Sequence, residues 1–183
     1  MSSMRGYFGV GVEGISKEQN VGTIVRTTHA FGGSFFFTIR PSLDMQELKV
    51  SDTSGAFDHL PYYQYKKPEE LDLPKGCVLV GVELTDDCVD LPSFRHPLRA
   101  AYVFGPEMGS LSPKLTQYCE HVVKIPMKFC VNVGVAAAIV IYDRMVCLGK
   151  FAERPVRPGG PMIDASKSLP KVHRRRVRSK IPE

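Results

Sequence analysis

The chain has no tryptophan, no CxxC pair and no apolar run of membrane length, and each absence closes off a class of protein. Its five cysteines, Cys77, Cys88, Cys119, Cys130 and Cys147, are odd in number and scattered. That pattern indicates neither a disulfide framework nor a zinc site, and reduced thiols are expected. His29, His59, His96, His121 and His173 have no partner four residues on that would make a metal pair, so no metal is expected. The longest apolar stretch, Val135 to Tyr142, is far short of the ~20 residues a membrane helix needs. The opening residues, Met-Ser-Ser-Met-Arg-Gly, lack the apolar segment of a signal peptide. These absences together predict a soluble, cytoplasmic protein with no membrane partner. Neither the GxSxG elbow of a serine hydrolase nor a Gly-Lys-Ser/Thr phosphate loop occurs.

What is present is an ordinary globular composition, 43% hydrophobic and 23% charged, in a chain of 183 residues that is long enough for one real core. The net charge of +5 is unevenly placed. Residues 166–183 carry Lys167, Lys171, Arg174, Arg175, Arg176, Arg178 and Lys180 against Glu183 alone, so the tail is strongly basic and the rest nearly neutral. Ahead of it, from Arg154, Pro-Val-Arg-Pro-Gly-Gly-Pro reads as a linker. The predicted layout is therefore a domain over 1–153 and a Pro/Gly linker with a basic tail over 154–183.

The periodicity predicts alternating strands and helices. Strands are expected at Tyr7 to Val12, Ser34 to Ile39, Tyr62 to Tyr65, Cys77 to Leu84, Ala100 to Phe104 and His121 to Ile125. Helices are expected at Asn20 to Phe31, Pro68 to Leu71, Pro113 to Tyr118 and Asn132 to Leu148, with residues 41–60 irregular. This alternation gives an α/β fold with a mainly parallel sheet flanked by helices. The last helix is apolar on nearly every side, which predicts burial all round, at the centre of the domain or against a second subunit.

Gly9, Gly11 and Gly14 spell GxGxxG, the dinucleotide fingerprint. The mechanism needs those glycines at a helix start with an acid ~20 residues on. Here the first two lie inside a strand and no such acid follows, so dinucleotide binding is not the expected reading.

Three strand-to-helix junctions carry the chemical signal. The first is Asn20-Val-Gly22-Thr-Ile-Val-Arg26-Thr27, where Asn20 would cap the helix and Arg26 lies near its face. The second is Gly105-Pro-Glu107-Met-Gly-Ser-Leu111, whose glycine admits a ligand against the main chain and whose Glu107 would accept a hydrogen bond. The third is Ile125-Pro-Met127 followed by Asn132-Val-Gly-Val-Ala-Ala, small residues that allow close helix packing behind an asparagine cap. Ligands of α/β sheets bind just outside the carboxyl ends of strands, and three such junctions suggest one composite site.

In this order the three motifs resemble the TrmH (SpoU) branch of the SPOUT superfamily, the α/β-knot RNA methyltransferases, over about residues 6 to 150. Two departures stand out: Ser110 replaces the glycine before the leucine, and only Lys-Phe-Cys-Val separates Met127 from Asn132, with Cys130 where a serine is common. The resemblance implies a C-terminal deep trefoil knot and a homodimer through the knot helices. It also implies a SAM-dependent transfer of methyl from S-adenosyl-L-methionine to a ribose 2′-hydroxyl of tRNA or rRNA, tRNA being favoured because no separate RNA-binding domain precedes the catalytic one. Val82, Gly105, Ile125 and Cys130 would line the cofactor pocket. Arg26 would be the catalytic residue, supported by Asn20, Glu107 and Asn132. Arginine almost never loses its proton, so a phosphate clamp suits Arg26 better than a base. RNA contacts would come from Arg26 and from Arg174, Arg175 and Arg176 of the tail. The rival reading is a SPOUT-like RNA-binding or assembly protein that has lost transfer, which the shortened third loop favours.

Overall fold

The computed structural model describes residues 6–43 and 55–160. Strand β1 (Tyr7–Glu13) leads into helix α1 (Glu18–Ala30), and β2 (Phe35–Ile39) and β3 (Tyr62–Tyr65) follow. Next come β4 (Val78–Val82), β5 (Val89–Asp90), β6 (Arg99–Phe104), the single turn α2 (Pro113–Thr116), β7 (His121–Lys124) and α3 (Val133–Leu148). One-turn 3-10 segments lie at Ala56–Asp58, Pro68–Glu70 and Leu91–Ser93. Of the stretch 41–60 expected to be irregular, 44–54 lie outside the described residues. The two-residue β5 has no counterpart in the sequence reading, because Val89 and Asp90 are both exposed and leave no apolar alternation to read.

All the strand pairings are parallel, in the order β3-β2-β1-β6-β4-β7-β5. The sheet is thus the mainly parallel sheet flanked by helices that the alternation predicts. Successive side chains fall on opposite faces. Val10, Val12, Phe36, Val80 and Tyr102 meet α1 and α3 on one side. Phe35, Phe37, Ile39, Leu79, Ala101 and Val103 pack with Leu111 and Leu115 on the other. This second face also explains the GxGxxG string. A Cβ on Gly9 or Gly11 would lie 2.2 Å from the ring of Phe35 or Phe37, so those glycines make room for β2's aromatic rings.

Helix α1 buries Val21, Ile24, Val25 and Thr28 along one stripe and ends where Gly32 takes φ +77°. Helix α3 buries Val133, Ala136, Ala137, Val140, Ile141 and Arg144. It is not buried all round, as its composition suggested. Val135, Ile139, Tyr142 and Val146 form an exposed apolar stripe at the same helical spacing, 36 to 52% accessible. The two helices approach closely at Gly134, where a Cβ would come within 2.7 Å of Thr23 Cγ2.

At the amino ends of β1 and β6 lies a sealed polar cluster. The Arg144 guanidinium, 2% exposed, donates to the carbonyls of Pro97 (2.5 Å), Leu98 (2.8 Å) and Tyr7 (3.3 Å) and to the Tyr102 hydroxyl (3.2 Å). It also sits over the rings of Phe8 and Tyr102. Since Arg144 can only donate, Tyr102 accepts from it and donates its own proton to His96 Nδ1 at 2.6 Å. His96 Nε2 then donates to Asp143 at 3.0 Å. Burial holds His96 below the usual imidazole range despite Asp143, and burial pushes Tyr102 up to about 12.

The chain divides into two compact units, Met1–Lys150 and Phe151–Glu183. In the second, residues 151–160 are exposed and carry no helix or strand. Among the described residues no helix is long and apolar enough to cross a membrane.

Candidate functional site

The strand order reverses at β1 and β6: from β1 the chain runs outward through β2 to β3, while β6 leads to the other wing. Loops leaving the carboxyl ends of two such strands diverge and open a crevice between them. The loop after β1 holds Ser16 and Lys17, and that after β6 holds Glu107. They are tied together. Glu107 accepts from the backbone N–H of Ser16 (3.3 Å) and Lys17 (3.0 Å), the Ser16 hydroxyl (3.2 Å) and the Asn20 amide (3.0 Å). Lys17 is the residue that caps α1, so this carboxylate faces the positive end of that helix.

Asn20 does not cap α1, contrary to the sequence reading, because the helix begins two residues earlier at Glu18. It sits in the first turn, 7% exposed, and works as a bridge. Its amide donates to Glu107, and its oxygen accepts from the Asn132 amide at 2.9 Å. Asn132 does cap α3: its side-chain oxygen accepts from Gly134 N–H at 2.8 Å. The donors therefore run one way, from Gly134 N–H through Asn132 and Asn20 to the Glu107 carboxylate. Hydrogen bonds aligned in this sense polarise and strengthen one another. Partial burial alone would raise the Glu107 carboxyl; the donors from Asn20, its own backbone, Ser16 and Lys17 outweigh that and hold it below the usual carboxylate range.

Beside this relay, at the ends of β4, β6 and β7, lies a cavity of about 380 Å³. Val82, Gly105, Ile125 and Cys130 all line it, with Leu84, Phe104 and Val133 among the apolar walls and Glu107 and Asn132 among the polar ones. Glu83 also lines it, a residue the sequence reading did not single out; its carboxylate accepts from the backbone N–H of Leu84 (2.9 Å) and Leu111 (2.7 Å) and fixes the 105–111 loop. Lys17 was missed too, for a lysine before a helix carries no signal of its own.

Arg26 is placed differently. It is exposed on α1, does not line the cavity, and has no hydrogen bond or ion pair among the described residues. Six residues separate it from Asn20, roughly 9 Å along the helix axis. Arg174, Arg175 and Arg176 lie outside the described residues. Among the described residues no group of three or more His, Cys, Asp or Glu side chains is placed to hold a metal ion.

The sequence matches the SpoU rRNA Methylase family over residues 8–142. It is 30% identical over 161 residues to the tRNA (guanosine(18)-2′-O)-methyltransferase TARBP1 of Mus musculus, covering 77% of this chain and 10% of that protein. It is 28% identical over 148 residues to an uncharacterized tRNA/rRNA methyltransferase of Archaeoglobus fulgidus, covering 75% of this chain and 63% of that one. The chain thus spans only part of the length of either relative. The fold is similar to that of the SpoU methyltransferase AviRb from Streptomyces viridochromogenes in complex with AdoMet, with a TM-score of 0.67 at 22% identity over 79% of this chain and 62% of that one.

Proposed function

The chain belongs to the SpoU rRNA methylase family, and from that premise we propose that it is a SAM-dependent RNA 2′-O-methyltransferase, acting on tRNA in preference to rRNA. The observation that carries the reading is the relay Glu107–Asn20–Asn132, which links all three junctions beside one cavity. The relative named for guanosine 2′-O-methylation of tRNA supports the ribose and tRNA assignments.

The cavity fits S-adenosyl-L-methionine. About 380 Å³ lies within the range of small-molecule sites. Val82, Ile125 and Cys130 would wall the adenosine and methionine portions, and Gly105 leaves the main chain open to them. When bound, the cofactor would supply a sulfonium methyl to the ribose 2′-oxygen, with the neutral thioether S-adenosyl-L-homocysteine as leaving group and the hydroxyl proton passing to solvent. For that displacement the protein's task is position. Glu107, Asn20 and Asn132 hold the β1, β6 and β7 loops in one register around the cavity. Arg26, exposed and unpaired among the described residues, clamps a phosphate of the RNA and so sets the ribose, while remaining too basic to take the proton itself.

The exposed stripe of α3, Val135, Ile139, Tyr142 and Val146, supports a homodimer through this helix. The order β4-β7-β5 supports a trefoil knot, since β7 inserts between two strands that precede it consecutively in the chain. We assign residues 1–153 to the catalytic domain and 154–183 to a linker and basic tail, in which Arg174, Arg175 and Arg176 contact RNA phosphates, and we place the protein in the cytoplasm.

The test is transfer of labelled methyl from S-adenosyl-L-methionine to bulk tRNA, followed by alkaline hydrolysis. A 2′-O-methyl removes the internal nucleophile, so label should remain in alkali-resistant dinucleotides. Arg26→Ala should abolish transfer while leaving calorimetric cofactor affinity within about twofold. Label in mononucleotides would overturn the ribose assignment, and lost cofactor binding would overturn the role of Arg26. The second reading, an RNA-binding protein that has lost transfer, rests on the short loop between Met127 and Asn132; RNA binding with no cofactor binding would favour it.

A further inference from the structure

Two large apolar side chains stand in solvent on the loops that line the cavity. Phe129, between the lining residues Met127 and Cys130, is 77% accessible, and Met108, between Glu107 and Gly109, is 91% accessible. Leaving a phenylalanine ring in water forgoes the burial that stabilises such rings elsewhere in the fold, at roughly 25 cal/mol per Å². The charged groups around the cavity divide into carboxylates that are engaged and ammonium groups that are free. Both lining carboxylates are spent, Glu107 on the loop after β1 and Glu83 on Leu84 and Leu111. Lys17, which also lines the cavity, and Lys128, next to Phe129, are exposed and have no ion pair among the described residues. The rim therefore offers a bare aromatic face and two ammonium groups free to pair with a phosphate.

An aromatic face beside a cation is what binds single-stranded nucleic acid: the base stacks and the phosphate pairs with the ammonium. A base still paired in a duplex cannot present its face to a protruding ring. We propose that Phe129 and Lys17 form a nucleotide-docking rim, with the ring stacked on an unpaired base of the RNA and the ammonium on the adjacent phosphate. The proposal rests on the RNA-methyltransferase reading and narrows its substrate to a nucleotide presented in a loop or single strand. The relay gives the rim its rigidity. Lys17 N–H binds Glu107, and Asn132, three residues after Phe129, is held through Asn20 to the same carboxylate. The two loops are thereby held to one carboxylate.

The experiment measures fluorescence anisotropy of a labelled single-stranded RNA dodecamer and of its duplex, with the full chain. The wild type should prefer the single strand. Phe129→Ala should lower single-strand affinity about tenfold and leave duplex affinity unchanged, whereas Phe129→Tyr should retain it. Lys17→Ala should reduce the slope of log affinity against log salt by about 0.7, and Lys17→Arg should restore it. Unchanged single-strand affinity in Phe129→Ala overturns the proposal. So does a Phe129→Ala protein that falls to a smaller species in sedimentation, which would assign the ring to a contact between copies. Failure here is separable from failure of the reaction. A protein that methylates RNA equally well with and without Phe129 refutes the rim alone. One that transfers no methyl yet loses the dodecamer in Phe129→Ala keeps the rim and refutes the reaction.

Discussion

Helix α3 meets one polar network at its capping residue and another near its last turn, and the two are built to opposite rules. At its start, Asn132, Asn20 and Glu107 form a relay that is only partly buried and borders an open cavity. Near its end, Arg144, Tyr102, His96 and Asp143 form a cluster in which Arg144 and His96 are 2% and 3% exposed. The sealed cluster spends its donors on the protein's own strand ends, the carbonyls of Tyr7, Pro97 and Leu98. The open relay ends on loops and leaves neighbouring cavity walls unused. The first arrangement suits stability; the second suits holding several loops at fixed spacing around a ligand.

Arg144→Met tests the sealed end and should have the largest effect. It keeps most of the volume but removes the donors to the carbonyls of Pro97, Leu98 and Tyr7 and to the Tyr102 hydroxyl, at an expected cost of about 3 to 5 kcal/mol in a urea titration. Against a typical total of about 5 to 15 kcal/mol this threatens folding itself. Cofactor affinity of the remaining folded fraction should not change; a loss under about 1 kcal/mol would erase the contrast between the two ends.

Glu107→Gln addresses the open end. At neutral pH it should cost about 1 to 2 kcal/mol, since a charge-assisted acceptor becomes neutral, while methyl transfer falls much further. The donors around Glu107 lower its carboxyl pKa in the fold, so its contribution is present above the unfolded value, about 4.3, and is lost as pH falls through the lower folded one. The stability gap between wild type and variant should accordingly close below about pH 4. A gap that persists there would show that Glu107 acts through packing.

His96→Gln should give the smallest effect, read as a slope rather than a level. Burial lowers the imidazole pKa, so the unfolded chain takes up a proton first and stability falls as pH drops from about 6.5 toward the folded value. The groups facing this ring are Tyr102, Asp143, Arg144 and Phe94. Removing it should flatten the pH dependence of unfolding in that range. An unchanged slope would mean that the cluster does not discriminate against the charged ring.

Much of the fold was legible because strand and helix periods leave direct traces. The runs at Tyr62–Tyr65 and Arg99–Phe104 and the helix at Val133–Leu148 are placed within a residue by apolar spacing alone. The stop of α1 was legible because Gly32 takes a conformation other residues rarely adopt. The cap assigned to Asn20 went astray, and the burial assigned to α3 is met within the chain on one face only, because each was judged within a single segment and depends on what lies opposite. Asn20 faces Glu107, 87 residues away, and nothing among the described residues covers Val135, Ile139 and Tyr142.

The sequence by itself determined the alternation of strands and helices, the sheet's two apolar faces and the presence of three junctions rich in Gly, Asn and Glu, because these depend on neighbours within a few positions. Only the tertiary structure decided that Glu107, Asn20 and Asn132 share one run of hydrogen bonds, that Gly9 and Gly11 serve Phe35 and Phe37, and that Arg26 stands clear of the cavity. Hydrogen bonds and ring contacts act over a few ångströms in space, whereas the residues making them lie up to 137 positions apart in the chain. Strand order, which no local period encodes, is what brings them within reach.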